Sequence, residues 1–108
     1  MKVLVLEKNL LWSSRVRRTL EALGHAVTVT AVAPQHLDFD IALVGLADDS
    51  LGEIGRLREA GIFVIGHAGH KEKELIARGL AAGCSRVLSN SELTFKLPQA
   101  LEALAHAG

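Results

Sequence analysis

Residues 2–30 read KVLVLEKNLLWSSRVRRTLEALGHAVTVT, and this stretch decides the fold. Lys2 to Leu6 is a short, nearly continuous apolar run of the kind carried by a strand buried on both faces. From about Leu10 to Leu23 the period changes. Trp12, Val16, Leu20 and Leu23 recur at helical spacing, while Ser13, Ser14, Arg15, Arg17 and Arg18 fall on the rest of the cylinder. Asn9 supplies an N-cap and Gly24 a stop. His25 to Thr30 then alternates, with Val27, Val29 and, further on, Val32 separated by Ala and Thr, a pattern suited to a sheet edge. Strand, helix and strand in succession make a βαβ unit, whose strands lie parallel.

The same alternation continues outward. Further strands are predicted at Ile41 to Gly45, Phe63 to Gly66 and Arg86 to Leu88. A second helix is predicted over Leu51 to Glu59, capped by Ser50, with Leu51, Ile54 and Leu57 inward and Gly61 as its stop. A third covers Lys71 to Ala82, with Leu75, Ile76 and Leu80 inward and Gly83 at its end. The last runs from Leu97 to about Ala107, with Pro98 in its first turn, where a missing N–H costs nothing. Residues 31–40, including Pro34, are too few for a full crossover helix and two loops, leaving room for one helical turn at Gln35 to Leu37.

Composition narrows the function classes. The 108 residues are 49% hydrophobic, and 12 Lys and Arg balance 12 Asp and Glu. A single domain follows, able to hide roughly two-thirds of the unfolded chain's surface. Zero net charge argues against nucleic acid or an anionic membrane as the main partner. The first apolar run is broken by Glu7 and Lys8, too early for a signal-peptide core or a membrane span, so a cytoplasmic protein is expected. Cys84 is the one cysteine and reads as a small buried apolar residue in a reducing compartment rather than a reactive thiol.

The order of elements resembles the receiver domain of bacterial two-component response regulators over essentially the whole chain. The resemblance is carried by Val3 to Asn9, Arg17 to Val27, Asp40 to Gly45 and Ile76 to Leu88, the last with an alanine-glycine pair, Ala82-Gly83, before the strand. It implies an α/β, flavodoxin-like (CheY-like) three-layer sandwich around a five-stranded parallel sheet of order 2-1-3-4-5, here with a shortened second crossover. It further implies a site at the carboxyl ends of the strands. A receiver there carries two acids that hold magnesium, a phosphoacceptor Asp, a Ser or Thr, and a Lys, a set suited to in-line phosphoryl transfer.

Carried over residue by residue, Glu7 keeps one acid, Lys8 replaces the other, Gly45 replaces the nucleophile, His67 the hydroxyl residue and Asn90 the lysine. Val87 stands where receivers place an aromatic switch residue. The resemblance therefore implies a degenerate pseudo-receiver, acting in regulation by protein–protein interaction, with no cofactor and no catalysis. Lys8 is expected to fill the old cation space as a fixed positive charge.

The same residues admit other chemistry. His67 and His70, with Asp48, form an alternative metal set for a small metal- or ligand-binding protein or a hydrolase, although a further ligand is lacking. Asp48, Asp49 and Ser50 serve either a displaced cation site with Glu7 or, more simply, a helix N-terminus. In the simpler reading, His67 fills the emptied pocket, bonded to Glu7 or Asp48, and His70 faces solvent. No phosphate-binding glycine loop follows any strand. Arg15, Arg17 and Arg18 make a basic patch without an aromatic partner, a solvated face or a dock for an acidic regulatory protein. Arg78, Arg86, Glu92, Lys96, Glu102 and His106 lie on the face through which receivers dimerise, leaving a homodimer there as an open alternative.

Overall fold

A computed structural model describes residues 1–107, with side chains placed through Leu104. The elements run β1 (Lys2–Leu6), α1 (Leu10–Ala22), β2 (Ala26–Thr30), β3 (Ile41–Gly45), α2 (Asp48–Glu59), β4 (Phe63–His67), α3 (Lys73–Ala82), β5 (Arg86–Leu88) and α4 (Asn90–Ala107). All neighbouring strands pair in parallel, in the order β2-β1-β3-β4-β5. The expected sheet is thus observed.

Two apolar layers sandwich it. On one side α1 and α4 close over Val3, Val5, Ile41, Leu43 and Ile65; on the other α2 and α3 cover Leu4, Ala42, Val44 and Val64. Ile54 and Leu57 of α2 are fully buried, each contributing about 1.5–3 kcal/mol by removal from water.

Helices α1, α2 and α3 end in one device. Gly24, Gly61 and Gly83 all adopt positive φ, open to glycine without the Cβ clash. The next residue's N–H then turns back on the helix: His25 to Leu20 O, Ile62 to Leu57 O, Cys84 to Gly79 O. Each is the Schellman closure, and each feeds the chain into the following strand.

Several boundaries differ from expectation for identifiable reasons. α2 begins at Asp48 rather than Leu51, because Ser50 sits a turn inside the helix. Its Oγ accepts the Ala47 N–H at 2.9 Å and donates to Gly45 O at 2.8 Å. α3 begins at Lys73 rather than Lys71. α4 begins seven residues earlier than Leu97, so Pro98 lies inside it. The sequence signal for the earlier start is Ser89-Asn90-Ser91-Glu92. Ser89 Oγ accepts the Glu92 N–H at 3.3 Å and Glu92 Oε1 accepts the Ser89 N–H at 3.1 Å, a reciprocal capping box worth about 1 kcal/mol.

Residues 31–40 contain no helical turn, contrary to the expectation for Gln35 to Leu37. Ala33, Leu37 and Phe39 cover part of the sheet instead, and Arg56 Nη2 pins the segment through Pro34 O at 2.5 Å. Three side chains also exchange faces. Ser13 is buried with its hydroxyl donating to Leu10 O, whereas Leu23 and Leu80 are exposed. On α3 the buried position is Gly79, where an added Cβ would stand 2.7 Å from Leu46 Cδ1. That close approach lets the helix lie on the sheet and turns Leu80 outward.

Candidate functional site

The site lies at the carboxyl ends of the strands, beside the point where the chain reverses its direction of growth from β1 toward β2 to β1 toward β3. Register brings Leu6 beside Val44, Gly45 beside His67, and His67 beside Leu88. Glu7 leaves β1, Gly45 ends β3, His67 ends β4, and Asn90 opens α4. His67 therefore belongs to the strand rather than to the loop after it, and the strand's pleat buries it to 8% exposure.

Glu7 turns inward over Gly45. A Cβ built at residue 45 would stand 1.8 Å from Glu7 Oε2, a distance that no side chain at this position can share. Glycine at position 45 is what leaves the carboxylate in this place. Glu7 Oε1 accepts the Asn9 N–H at 3.0 Å, and Oε2 faces His67 Nδ1 at 3.6 Å, within ion-pair range though beyond a hydrogen bond. The opposite ring nitrogen, Nε2, meets Asn90 Oδ1 at 2.5 Å; with the amide oxygen as acceptor, Nε2 carries the proton. Trp12 packs edge-on against the imidazole, with centroids 5.0 Å apart. Glu7, His67 and Asn90 thus form one polar line through a cleft of about 510 Å³, with Trp12 as a wall.

Burial pushes the Glu7 carboxyl up, but His67 and the Asn9 N–H together outweigh it, and the net shift is below the ordinary value of 4.5. A carboxyl held low in the fold contributes stability above its unfolded pKa and loses that contribution as pH falls through the folded one. Urea unfolding followed from about pH 6 down to about pH 3 is therefore expected to show an acid loss that is smaller in Glu7→Gln. Asp38, Asp49 and Glu92 are also lowered and supply the slope that remains.

Lys8 does not fill the pocket. It projects from the rim and pairs with Asp49 at the start of α2, which holds that carboxyl below its usual range. Asp48 likewise turns away from His67, to Arg78 Nη1 at 2.8 Å. Both pairs are well exposed and screened by solvent, so they add little to stability.

His70 is exposed on the turn before α3, so the alternative set His67, His70 and Asp48 is not brought together. Among the described residues no three His, Cys, Asp or Glu side chains are placed to hold a metal. The magnesium that a receiver fold implies does not suit this donor set either. The residue after Glu7 is a cation, and Glu7 already serves Asn9 and His67. Cys84 is buried, with its thiol pushed up to about 11 by that burial, as an inert thiol should be.

Arg15, Arg17 and Arg18 are exposed on α1, but they do not lack an aromatic partner: Arg15 lies over Trp12 at 5.4 Å from the ring centroid. Arg17 pairs with Glu21 at 3.4 Å. Beside them a groove between α1 and α4 is lined by Leu11, Trp12, Leu93 and Leu97. Exposed Leu10 and Leu11 stand at the start of α1, and exposed Phe95 on α4. On the α3–β5–α4 side Arg78 is bound to Asp48, Arg86 and Glu102 are exposed, and Lys96 meets Glu92 at 3.7 Å. The side chain of His106 lies outside the described residues. Val87, at the expected switch position, is half-buried.

Comparison with solved structures decides the fold. The receiver domain of a modulated diguanylate cyclase from Desulfovibrio desulfuricans G20 superposes with a TM-score of 0.82 at 23% identity, over 98% of this chain and 94% of that one. The chain has the receiver fold. A CheY-like response regulator receiver domain from Methanospirillum hungatei JF-1 matches with a TM-score of 0.76 at 19% identity, over 99% and 98% of the two chains. The same fold also serves a putative pilus assembly protein from Burkholderia thailandensis E264, with a TM-score of 0.74 at 21% identity and 98% of each chain covered. No family model matches the chain, and no curated protein matches it by sequence. Among the described residues no helix is long and apolar enough to cross a membrane.

Proposed function

We propose that this chain is a receiver-like regulatory module of the cytoplasm that takes no phosphoryl group and acts by contact with another protein. The observation that carries this reading is the Glu7 carboxylate standing over Gly45. In a receiver the end of β3 bears the carboxylate that attacks phosphorus. Here that position has no side chain, and the volume above it is filled by an acid already committed to Asn9 and His67. Asn90, in the place of the lysine that would neutralise transferred charge, is bonded to His67 instead. The chemistry has been replaced by a packed polar line.

A module without that chemistry must signal through its surface. The basic edge of α1, Arg15, Arg17 and Arg18 beside exposed Leu10 and Leu11, offers an acidic regulatory protein both steering charge and apolar contact. Arg78 and Arg86 form a second, weaker candidate, since Arg78 is held by Asp48 at 2.8 Å, tighter than the 3.4 Å pair of Arg17 with Glu21.

Affinity capture from the native cell, run with and without acyl phosphate, tests the reading. The same partner is expected in both, and it should be lost when Arg15, Arg17 and Arg18 are all changed to Glu in a variant whose circular dichroism is unaltered. Capture that appears only after acyl phosphate treatment would overturn it.

A further inference from the structure

The free edge of the sheet carries a second surface, separate from the strand-end cleft. We propose that β2 pairs antiparallel with β2 of a second copy of this chain, about a two-fold axis through Thr28.

β2 is the outermost strand and pairs on one flank only, with β1. The N–H of Ala26 reaches Met1 O at 3.0 Å, and Thr30 O accepts the Glu7 N–H at 3.2 Å. Along a strand the N–H and C=O of one residue point to the same flank, and successive residues alternate. Ala26, Thr28 and Thr30 therefore face β1, and the main-chain groups of Val27 and Val29 point off the edge.

Edges of this kind are ordinarily blunted by charge, proline, a bulge or a covering helix. From Ala26 to Ala33 there is no charged residue and no proline, and residues 31–40 form no helix that could lie over the strand. The chain's formal net charge of zero removes long-range repulsion between copies.

The edge is also self-complementary. A two-fold axis at Thr28 sets Val27 opposite Val29 of the second copy, and Val29 opposite Val27. Both residues direct their main-chain groups outward, so each such pair exchanges an N–H···O bond in both directions. The two valines are half-buried against the layer formed by α1 and α4, and the opposing valines extend that layer across the junction. On the opposite face Thr28 meets Thr28, with Ala26 beside Thr30. These three side chains are small and uncharged.

Sedimentation equilibrium across a concentration series, combined with amide hydrogen exchange by NMR, tests the pairing. The expected result is a monomer–dimer equilibrium in which the Val27 and Val29 amides exchange at least about tenfold more slowly at high concentration. Thr28→Lys sets two ammonium groups opposite each other at an exposed position, and Val29→Pro removes an outward N–H without touching the bonds to β1. Both are expected to shift the protein to monomer with its circular dichroism unchanged. If either variant fails to fold, the amide exchange of the unaltered chain decides alone. A monomer at every concentration overturns the proposal. So does a dimer whose Val27 and Val29 amides exchange freely, which would move the contact to another face such as that of α3, β5 and α4.

Discussion

Gly45→Ala is expected to destabilise the protein by about 1 kcal/mol, the worth of the Glu7 contacts that its single methyl group displaces. The methyl carbon would stand 1.8 Å from Glu7 Oε2 and 2.6 Å from Glu7 Cδ. The carboxylate must then leave its place, abandoning the Asn9 N–H and the imidazole face of His67. Glycine's lower strand propensity would by itself make the change mildly stabilising, so the sign of the effect separates packing from propensity. Glu7→Ala in the same molecule vacates the space. The double variant is therefore expected to recover part of the loss, a coupling readable in a double-mutant cycle by urea unfolding. Gly45→Asp adds a second carboxylate to the same volume and should be worse still, because like charges this close disfavour joint ionisation. Additive single effects would mean that Glu7 and residue 45 do not compete for space.

His67→Ala is the second large expectation, a loss of about 2–4 kcal/mol. The imidazole is 8% exposed and touches three partners of different kinds: Glu7, Asn90 and the edge of Trp12. Its removal opens a cavity beside Trp12 and takes from the Glu7 carboxyl the imidazole face it lies against. His67→Gln keeps an amide able to reach Asn90 and is expected to lose less. Trp12 is the only tryptophan, so its emission follows unfolding and also reports the altered wall of the cleft. Equal stability of His67→Ala and the unaltered protein would reduce the polar line to a surface feature.

Much of this architecture was legible in residues 2–30 and their continuation. Period, caps and the glycines at 24, 61 and 83 place strands and helix ends within a residue or two, because those signals are local. The misplaced starts of α2 and α4 share another cause. Ser50 resembles a cap in sequence but serves from inside the helix, and Pro98 is a more conspicuous start signal than the capping box at Ser89 and Glu92 that begins α4. A proline inside α4 is tolerated where Leu93, Leu97, Ala100 and Leu101 anchor the helix to the core.

The site was legible as a set of residues but not as a geometry. Sequence placed Glu7, Lys8, Gly45, His67 and Asn90 at the strand ends, and the fold puts them there. It did not reveal that Glu7 rather than Lys8 occupies the space over Gly45, because that depends on which flank of the β1 terminus each side chain leaves. Nor did it pair Asp48 with Arg78 or Asp49 with Lys8, contacts that arise only once α2 begins at residue 48. Helical spacing places Trp12 on the core face of α1. Its position three residues after the Asn9 cap, at the end of the helix nearest the strand termini, was the signal that it also walls the cleft.

If the strand-end cleft takes no phosphoryl group, as proposed, the chain stays unmodified in the presence of a phosphodonor. Incubation of the purified chain with an excess of acyl phosphate and magnesium, followed by intact-mass spectrometry, is the test. The expected result is an unchanged mass and no response to beryllofluoride. A stoichiometric gain of one phosphoryl group, mapped to a carboxylate at the ends of β1 or β3, would contradict it.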